Sequence, residues 1–181
     1  MQNDEKVFIK QILDPSTQNE AFQRLVNQYS RPLYSHIRTL VIDHNDTDDV
    51  LQNTFIKVFK NIAKFKGESK LFSWMYRIAT NEALTFLSQK AKKSGISSGD
   101  LQQNAIQSLK SDDYFDGDAL QIKLQMAIAN LPEKQQLVFK MRYFQELKYE
   151  EISEILGTSV GALKASYHHA AKKIEDYINN G

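Results

Sequence analysis

The chain has 181 residues and a formal net charge of +1; 41% of its residues are hydrophobic and 25% are charged. These values are typical of a soluble globular protein with one domain or two small ones, and no apolar run approaches the roughly 18 residues of a membrane-spanning helix. The absence of cysteine excludes disulfides and thiolate metal sites, while few glycines and prolines favour an all-helical fold. The N-terminus lacks the features of a secretion signal, so we expect a cytoplasmic protein without membrane insertion.

The charges are distributed unevenly along the chain. Residues 1–93 carry 14 basic and 10 acidic side chains, residues 94–118 carry one and five, and residues 119–181 carry eight and seven. The stretch 57–93 alone holds nine basic residues against two glutamates. We expect this basic stretch to face a polyanion.

Helical periodicity dominates the first part of the chain. A short helix is predicted over 7–13 and ends before Pro15, because a residue that precedes proline is pushed away from helical angles. A second helix is predicted to follow a cap at residues 16–17. Pro32 suits the first turn of a helix and is predicted to open a third one, which continues through Leu40.

The most regular predicted helix covers 47–63, with Asp46 or the residue after it as the N-cap. Asp49, Gln52 and Ile56 lie opposite its apolar stripe. An isoleucine on this otherwise polar side suggests a surface for a partner, although single exposed apolar residues are common.

The loop 65–70 turns at Gly67, and Ser69 is predicted to cap a helix from Leu71 to about Lys92. Several polar or aromatic side chains project away from the predicted core of this helix: Lys70, Trp74, Arg77, Asn81, Ser88 and Lys92. An aromatic ring beside cationic groups is what single-stranded bases need for stacking and phosphate neutralisation. The alternative is that the tryptophan packs under a neighbouring element and the lysines are merely solvated.

Residues 94–118 are small, polar and acidic, which predicts a flexible linker whose few apolar residues form a transient helix or dock on a partner. Helices are predicted over 119–130 and from Leu131-Pro132 to residue 144. In the following stretch, 149–173, two short amphipathic helices are hinged at Gly157, and Thr158 and Ser159 are candidate N-caps of the second helix. This is the pattern of a DNA-binding helix-turn-helix, and the alternative is a helical hairpin that binds no nucleic acid.

Three motifs in order resemble the bacterial RNA polymerase sigma factors of the extracytoplasmic-function (ECF) type: DDVLQNTFIKVF, FKGESKLFSWMYRIATNEAL and LPEKQQLVFKMRYF with YEEISEILGTSVGALK. The match covers about residues 20–93 and 119–178. It implies an all-α protein of two small helical domains: residues 1–93 as sigma region 2 and residues 119–181 as sigma region 4, with the flexible acidic linker 94–118 between them.

The resemblance implies a protein with no catalysis and no cofactor, which binds core RNA polymerase and directs promoter-specific transcription initiation. Its DNA partners would be duplex promoter DNA and the melted non-template strand, and an anti-sigma factor is a further partner that the resemblance suggests. The alternative function is a stand-alone helix-turn-helix regulator, normally a dimer, which would not need the surface around Asp49.

Carried over residue by residue, the resemblance assigns three surfaces. The polymerase-binding positions are Asp49, Gln52 and Ile56. The positions for the minus-ten promoter element are Phe65, Ser69, Lys70, Trp74, Arg77, Asn81 and Lys92. The positions for the minus-thirty-five element are Ser159, Gly161, Lys164, Ser166, His168, His169 and Lys172.

The chain departs from the family where relatives often carry arginines. It has Ser166, Tyr167, His168 and His169 after the lysine of the last helix, so bidentate arginine recognition of guanine is not available from these positions. The adjacent histidines also lack the spacing of metal ligands on one helix face, and no zinc site is expected.

Overall fold

The computed structural model describes residues 2–180, with side chains from residue 4 onward. Over this range the chain forms nine α-helices, two short 3-10 turns and no strand. The helices are α1 (Gln2–Leu13), α2 (Gln18–Val41), α3 (His44–Asn61), α4 (Leu71–Ser94), α5 (Ser98–Ser108), α6 (Ala119–Ala129), α7 (Glu133–Tyr143), α8 (Tyr149–Leu156) and α9 (Val160–Asn180). The all-α prediction is confirmed. Among the described helices, none combines the length and the apolarity that crossing a membrane requires.

The N-terminal half is a bundle in which α2, α3 and α4 pack against one another, with α1 on the outside of α2. Its centre contains fully buried apolar side chains from each long helix, including Leu25, Val58 and Met75. The sequence predicted that Ser69 caps the start of α4. This prediction is wrong, because the N-cap residue is Lys70 and its side chain makes no cap hydrogen bond. Instead, the Glu5 carboxylate on α1 accepts a hydrogen bond from the Leu71 backbone N–H at 2.9 Å, which connects the first helix to the fourth.

The sequence predicted two helices on either side of Pro32, but the structure has one continuous helix, α2, with this proline inside it. A proline within a helix removes one backbone hydrogen bond. The buried face nevertheless continues from Leu25 through Leu33 to Ile37, and burying these side chains outweighs the loss. The Tyr76 hydroxyl also donates to the Pro32 carbonyl oxygen at 3.2 Å, which joins α4 to this part of α2.

Helix α3 begins about one turn earlier than predicted. Its N-cap is Asp43, whose carboxylate accepts the Asp46 backbone N–H at 2.9 Å. Ile42, with a φ of 72°, separates α2 from this cap. An aspartate therefore caps the first turn, as the sequence suggested, but it is Asp43 and not Asp46, three residues nearer the N-terminus.

The structure shows an ordered, packed segment where the sequence predicted a flexible linker. Ser97 and Asp100 form a reciprocal capping box at the start of α5. Ile106 and Leu109 are buried against Ile42 in a small apolar cluster that α6 extends. The capping box and the burial of these side chains offset the low apolar content that suggested disorder.

The linker is also attached to the N-terminal domain by polar and aromatic contacts. Arg38 forms an ion pair with Asp112. The Tyr114 ring stacks on His44 with centroids 3.7 Å apart, and the Tyr34 hydroxyl lies 2.5 Å from Nδ1 of the same histidine. We call Arg38, Asp112, His44 and Tyr114 the linker anchor. It fixes the linker at the junction of α2 and α3.

The C-terminal half contains the predicted helix-turn-helix. Helix α8 ends at Gly157, whose φ of 66° lies in the left-handed region that favours glycine. The Ser159 hydroxyl accepts the Ala162 backbone N–H at 3.3 Å and so caps α9, as predicted. Helix α9 packs against α6, α7 and α8 through buried Leu163, Ala170 and Ile174.

The two halves are packed together rather than separated. One apolar cluster contains Met75 and Tyr76 of α4 together with Met141 of α7 and Ile152 and Ile155 of α8. The first helix of the helix-turn-helix therefore lies against α4, the helix that carries the predicted minus-ten surface.

Two ionisable side chains are buried where α2 meets α7. Lys140 is only 2% exposed, and His36 is fully buried with its Nε2 2.8 Å from the Thr80 hydroxyl. Burial, and then the charge of Lys140, lowers the pKa of His36 to about 3. Burial also lowers the pKa of Lys140 to about 8. At pH 7 His36 is therefore neutral, whereas Lys140 remains largely protonated in spite of its burial.

We expect the buried His36 to make the protein sensitive to mild acid. Between pH 6.5 and 3 the unfolded chain binds a proton at this histidine that the folded chain does not, so the free energy of unfolding falls as the pH decreases through this window. The loss at pH 5 should be about 2 kcal/mol relative to neutral pH. Urea unfolding of the wild type and of His36→Gln at pH 7 and pH 5 measures it. A Gln variant that loses as much stability as the wild type would contradict this prediction.

Candidate protein and nucleic-acid interfaces

An open apolar groove lies between α3 and α2. It is lined by Phe22, Val26, Gln52, Phe55, Ile56, Phe59 and Lys60. Ile56 is 45% exposed and Phe59 is 41% exposed, and they lie one helical turn apart. Two of the three predicted polymerase-binding residues, Gln52 and Ile56, are in this groove. Asp49 is exposed on the same helix but does not line it.

Phe59 is the groove residue that the sequence reasoning missed. Its position in the apolar stripe of α3 assigned it to the core, but it is 41% exposed, and its ring meets the Phe22 ring in an edge-to-face arrangement with centroids 4.9 Å apart. The spacing to Ile56 was the available signal, because residues three apart on a helix are neighbours on its surface. Together the two side chains form an exposed apolar pair.

The predicted minus-ten residues follow the loop 65–70 and one side of α4. Lys70, Arg77 and Asn81 are exposed at spacings that place them on a common face, and Lys92 is exposed about three turns further along the helix. The long amphipathic helix thus presents a row of donors to one side. The Lys57 ammonium on α3 is not part of this row, because it forms an ion pair with Glu82.

Trp74 is half-buried rather than freely projecting. Its ring lies against the Phe65 ring with centroids 5.3 Å apart, and it packs at the margin of the main apolar cluster. The ring therefore has the packing partner that one alternative from the sequence predicted, and its intermediate exposure leaves part of it accessible.

The predicted minus-thirty-five residues lie on α9. Gly161, Lys164, His168 and Lys172 recur at steps of three and four and form one exposed face, with His169 at its edge. Ser166 does not share this face. It lies roughly 140° around the helix from Gly161 and is half-buried.

An aromatic ring at the start of α8 positions two cations beside this face. The guanidinium of Arg142 lies 5.2 Å, and the ammonium of Lys164 lies 5.8 Å, from the centre of the Tyr149 ring. Arg142 also donates to the Leu147 carbonyl oxygen at 3.0 Å. The sequence reasoning did not find Arg142 and Tyr149, since they precede the recognition helix and meet Lys164 only in the folded domain.

Comparisons with known proteins match both halves of the chain. Residues 25–93 match the Sigma-70 region 2 family and residues 121–174 match the Sigma-70 region 4 family. The ECF RNA polymerase sigma-E factor of Haemophilus influenzae is 30% identical over 167 residues, which cover 88% of each chain. The chain belongs to the ECF RNA polymerase sigma factors. The ECF sigma factor SigW of Bacillus subtilis is 26% identical over 178 residues, covering 89% of this sigma factor and 90% of SigW.

Solved structures with the same fold also cover most of this sigma factor. CnrH, in its complex with the cytosolic domain of CnrY, matches with a TM-score of 0.70 at 18% identity and covers 97% of both chains. The sigma factor RpoE of Bartonella quintana, in its complex with the anti-sigma factor NepR, matches with a TM-score of 0.64 at 17% identity and covers 87% of this chain and 96% of its own. The helical fold is therefore shared along nearly the whole chain. The two family matches and the curated relatives, in turn, show that the protein functions as a sigma factor in transcription initiation.

Proposed function

We propose that this sigma factor binds core RNA polymerase through the groove on α3, captures the melted minus-ten strand along α4, and contacts the duplex minus-thirty-five element through α9. The observation that carries this proposal is the presence of three separate exposed surfaces of fitting chemistry on one chain: an apolar groove, a basic-aromatic face and a helix-turn-helix. A stand-alone regulator would need only the last of these.

The groove on α3 has the composition of a protein-docking site. Its central side chains, Ile56 and Phe59, are apolar and exposed, while Gln52 and Lys60 border them. Binding sites between proteins commonly have such an apolar centre with a polar rim. Asp49 lies one turn before the groove and would add a polar contact at its edge. We propose that core polymerase is the partner that binds in this groove.

The loop 65–70 and α4 have the composition of a single-strand binding surface. The rings of Phe65 and Trp74 offer stacking surfaces, and Lys70, Arg77 and Asn81 offer donors for phosphates and base edges. Capturing an unpaired base costs a few kcal/mol of unstacking, which stacking on an aromatic ring repays. Ser69 is half-buried in the loop and is close enough in sequence to contact the captured base. Lys92 would contact the DNA backbone further along the strand.

Helix α9 is proposed to enter the major groove with Gly161, Lys164, His168 and Lys172 towards the DNA. Ser159 at its N-terminus would contact a phosphate, as helix N-termini do. The outer position of His169 suits a phosphate contact better than a base contact. Ser166 is not included in this face, because it lies on the half-buried side of the helix.

We expect Lys164→Ala to weaken binding to duplex promoter DNA by a similar factor for every sequence, because its ammonium neutralises a phosphate. Losing one phosphate contact should reduce the slope of log affinity against log salt by about one. Lys173→Ala is the matched control, since Lys173 belongs to the same helix but donates to Gln135. Fluorescence anisotropy across a salt series measures both slopes, and equal slopes for the two variants would rule out the contact.

The protein acts in the cytoplasm, where the polymerase is, and has no catalysis of its own. The structural relative from Bartonella quintana is held by an anti-sigma factor. We propose a partner of that class for this chain as well, and the exposed groove on α3 is a surface that it would compete for.

Gel filtration of the purified chain with core RNA polymerase tests the proposed function. We expect a stoichiometric complex, which should retard labelled promoter fragments recovered from the sites that the chain occupies in cells. Binding of the chain alone to these fragments as a dimer, with no complex on core polymerase, would favour the stand-alone regulator.

A further inference from the structure

A cavity of about 360 Å³ lies where the second half of α4, the start of α5 and helix α7 meet. Exposed residues of all three helices line its entrance, among them Ser88, Ser98 and Glu133. The volume lies within the range of roughly 300–1,000 Å³ that small-molecule sites occupy. It is also many times larger than the roughly 30 Å³ that one water molecule fills in the liquid. The space therefore fits a small organic molecule and is too large for a single bridging ion.

The lining of this cavity contains a buried cation. Lys140 of α7 is only 2% exposed, and none of the described residues forms a hydrogen bond or an ion pair with its ammonium. Burial lowers the pKa of Lys140 to about 8, so the group is still largely protonated at pH 7. A buried charge without a partner destabilises the packing around it, and an anion placed beside it would offset that cost.

The neighbouring ionisable groups leave this charge unbalanced. His36 of α2 is neutral at pH 7, because burial and the nearby charge of Lys140 lower its pKa to about 3. Glu133 is the other charged residue in the lining, but it lies at the exposed entrance, seven residues before Lys140 and thus about 10 Å away along the helix axis. The cavity therefore has a positive inner end. A ligand with one negative charge fits it, whereas a second negative charge would meet no cation.

Leucine side chains supply much of the remaining wall. They come from α2, α4, α7 and the turn before α7: Leu40, Leu84, Leu87, Leu131 and Leu137. Leu84 and Leu87 are only partly buried in the chain, so a ligand with an apolar body would remove further apolar area from water. Ligand sites commonly combine such an apolar wall with a few polar groups that fix the orientation of the ligand.

The amide of Gln136, one turn before Lys140, is already bonded to the protein. Its Nε2 donates to the carbonyl oxygens of Ala129 and Leu131 at 3.2 and 2.8 Å, and its Oε1 accepts from Gln102 Nε2 at 3.1 Å. The last of these bonds connects α5 to α7 across one side of the cavity. Lys140 is thus the charged donor in the lining that a ligand can still engage.

We propose that this cavity is a binding site for a small organic monoanion, a carboxylate with an apolar body, which places its carboxylate beside the Lys140 ammonium and its body against the leucines. The site is separate from the proposed function, because none of the residues that line it is among the positions proposed for polymerase or DNA. A bound ligand would contact α4, the linker helix α5 and α7 at once, and would stabilise the folded chain by mass action.

Titration calorimetry of the full chain at pH 7 tests the site with three probes of equal length that differ in the head group: octanoate, octanol and octylammonium. We expect one octanoate per chain, bound about tenfold more tightly than octanol, because a hydrogen bond to a charged group forms only with the carboxylate. Octylammonium should bind more weakly still, because its charge repels that of Lys140. Thermal unfolding should give the same order, with octanoate raising the Tm most.

Lys140→Met removes the charge and retains a long unbranched side chain. In this variant octanoate should lose its advantage over octanol, while the affinity for octanol should stay within about twofold of the wild type, and circular dichroism verifies the fold. Lys134→Met is the matched control, because Lys134 lies on the same helix but is exposed and outside the cavity. The control should bind octanoate as the wild type does.

Three results would each overturn the proposal. They are wild-type protein that binds octanol as tightly as octanoate, wild-type protein that binds no octanoate at millimolar concentration, and a folded Lys140→Met variant that retains the wild-type affinity for octanoate. If the variant does not fold, the comparison of head groups on the wild type still decides.

Discussion

Replacing Ile56 with aspartate should weaken the binding of this sigma factor to core polymerase by at least tenfold. Burying an isoleucine at an interface contributes about 1.5–3 kcal/mol, and a carboxylate in the centre of an apolar contact adds a desolvation cost. The fold should be unaffected, because Ile56 is 45% exposed in the free chain and is not part of any core cluster. Equilibrium titration of labelled sigma factor with core polymerase measures the change.

The matched control for this substitution is Val7→Asp. Val7 is 51% exposed on α1, so its substitution by aspartate places the same new charge on a different apolar surface of the same domain. It should leave polymerase binding within twofold of the wild type. Equal effects of the two substitutions would show that general charge, and not the groove, governs the affinity.

Replacing Trp74 with alanine should reduce open-complex formation by about 10- to 100-fold, because base stacking on an aromatic side chain is worth about 1–3 kcal/mol. Polymerase binding should change far less, since the groove on α3 is separate from this ring. Permanganate reactivity of unpaired thymines measures opening, and titration with core polymerase measures binding. Some loss of stability is also expected, because the ring packs on Phe65.

Trp74→Phe serves as the control for packing in this experiment. Phenylalanine retains a ring against Phe65 and should retain most of the strand opening, while circular dichroism verifies that both variants are folded. Parallel losses of opening and polymerase binding in the alanine variant would identify Trp74 as a core residue instead.

The elements that the sequence predicted well depend on local chemistry. Gly157 ends α8 because a left-handed residue is needed there, and Ser159 caps α9 through its own backbone neighbourhood. Both signals lie within a few residues of the feature they specify. The helix-turn-helix and its exposed face on α9 were therefore accessible without a structure.

The features that differ from the prediction depend on distant contacts. Pro32 is accommodated inside α2 because the buried face of that helix continues across it. The linker is ordered because Ile106 packs on Ile42, which is more than 60 residues away in the chain. Periodicity describes which face of a helix is apolar, but it does not specify what covers that face.

The same limit applies to the candidate sites. Grouping by helix face brought Gln52 and Ile56 together, but it missed Phe59, which is 41% exposed and contacts Phe22 of another helix. It also gave no indication that Arg77 would be held by α8 of the other domain. The arrangement of the two domains is thus the part of the account that only the structure supplies.

Transcription from genomic DNA by purified core polymerase, with and without this chain, tests the central claim most directly. Sequencing the RNA 5′ ends should reveal a restricted set of new start sites that appear only when the chain is present and share elements near minus ten and minus thirty-five. Start sites identical to those of core polymerase alone would contradict the claim that this chain directs promoter-specific initiation.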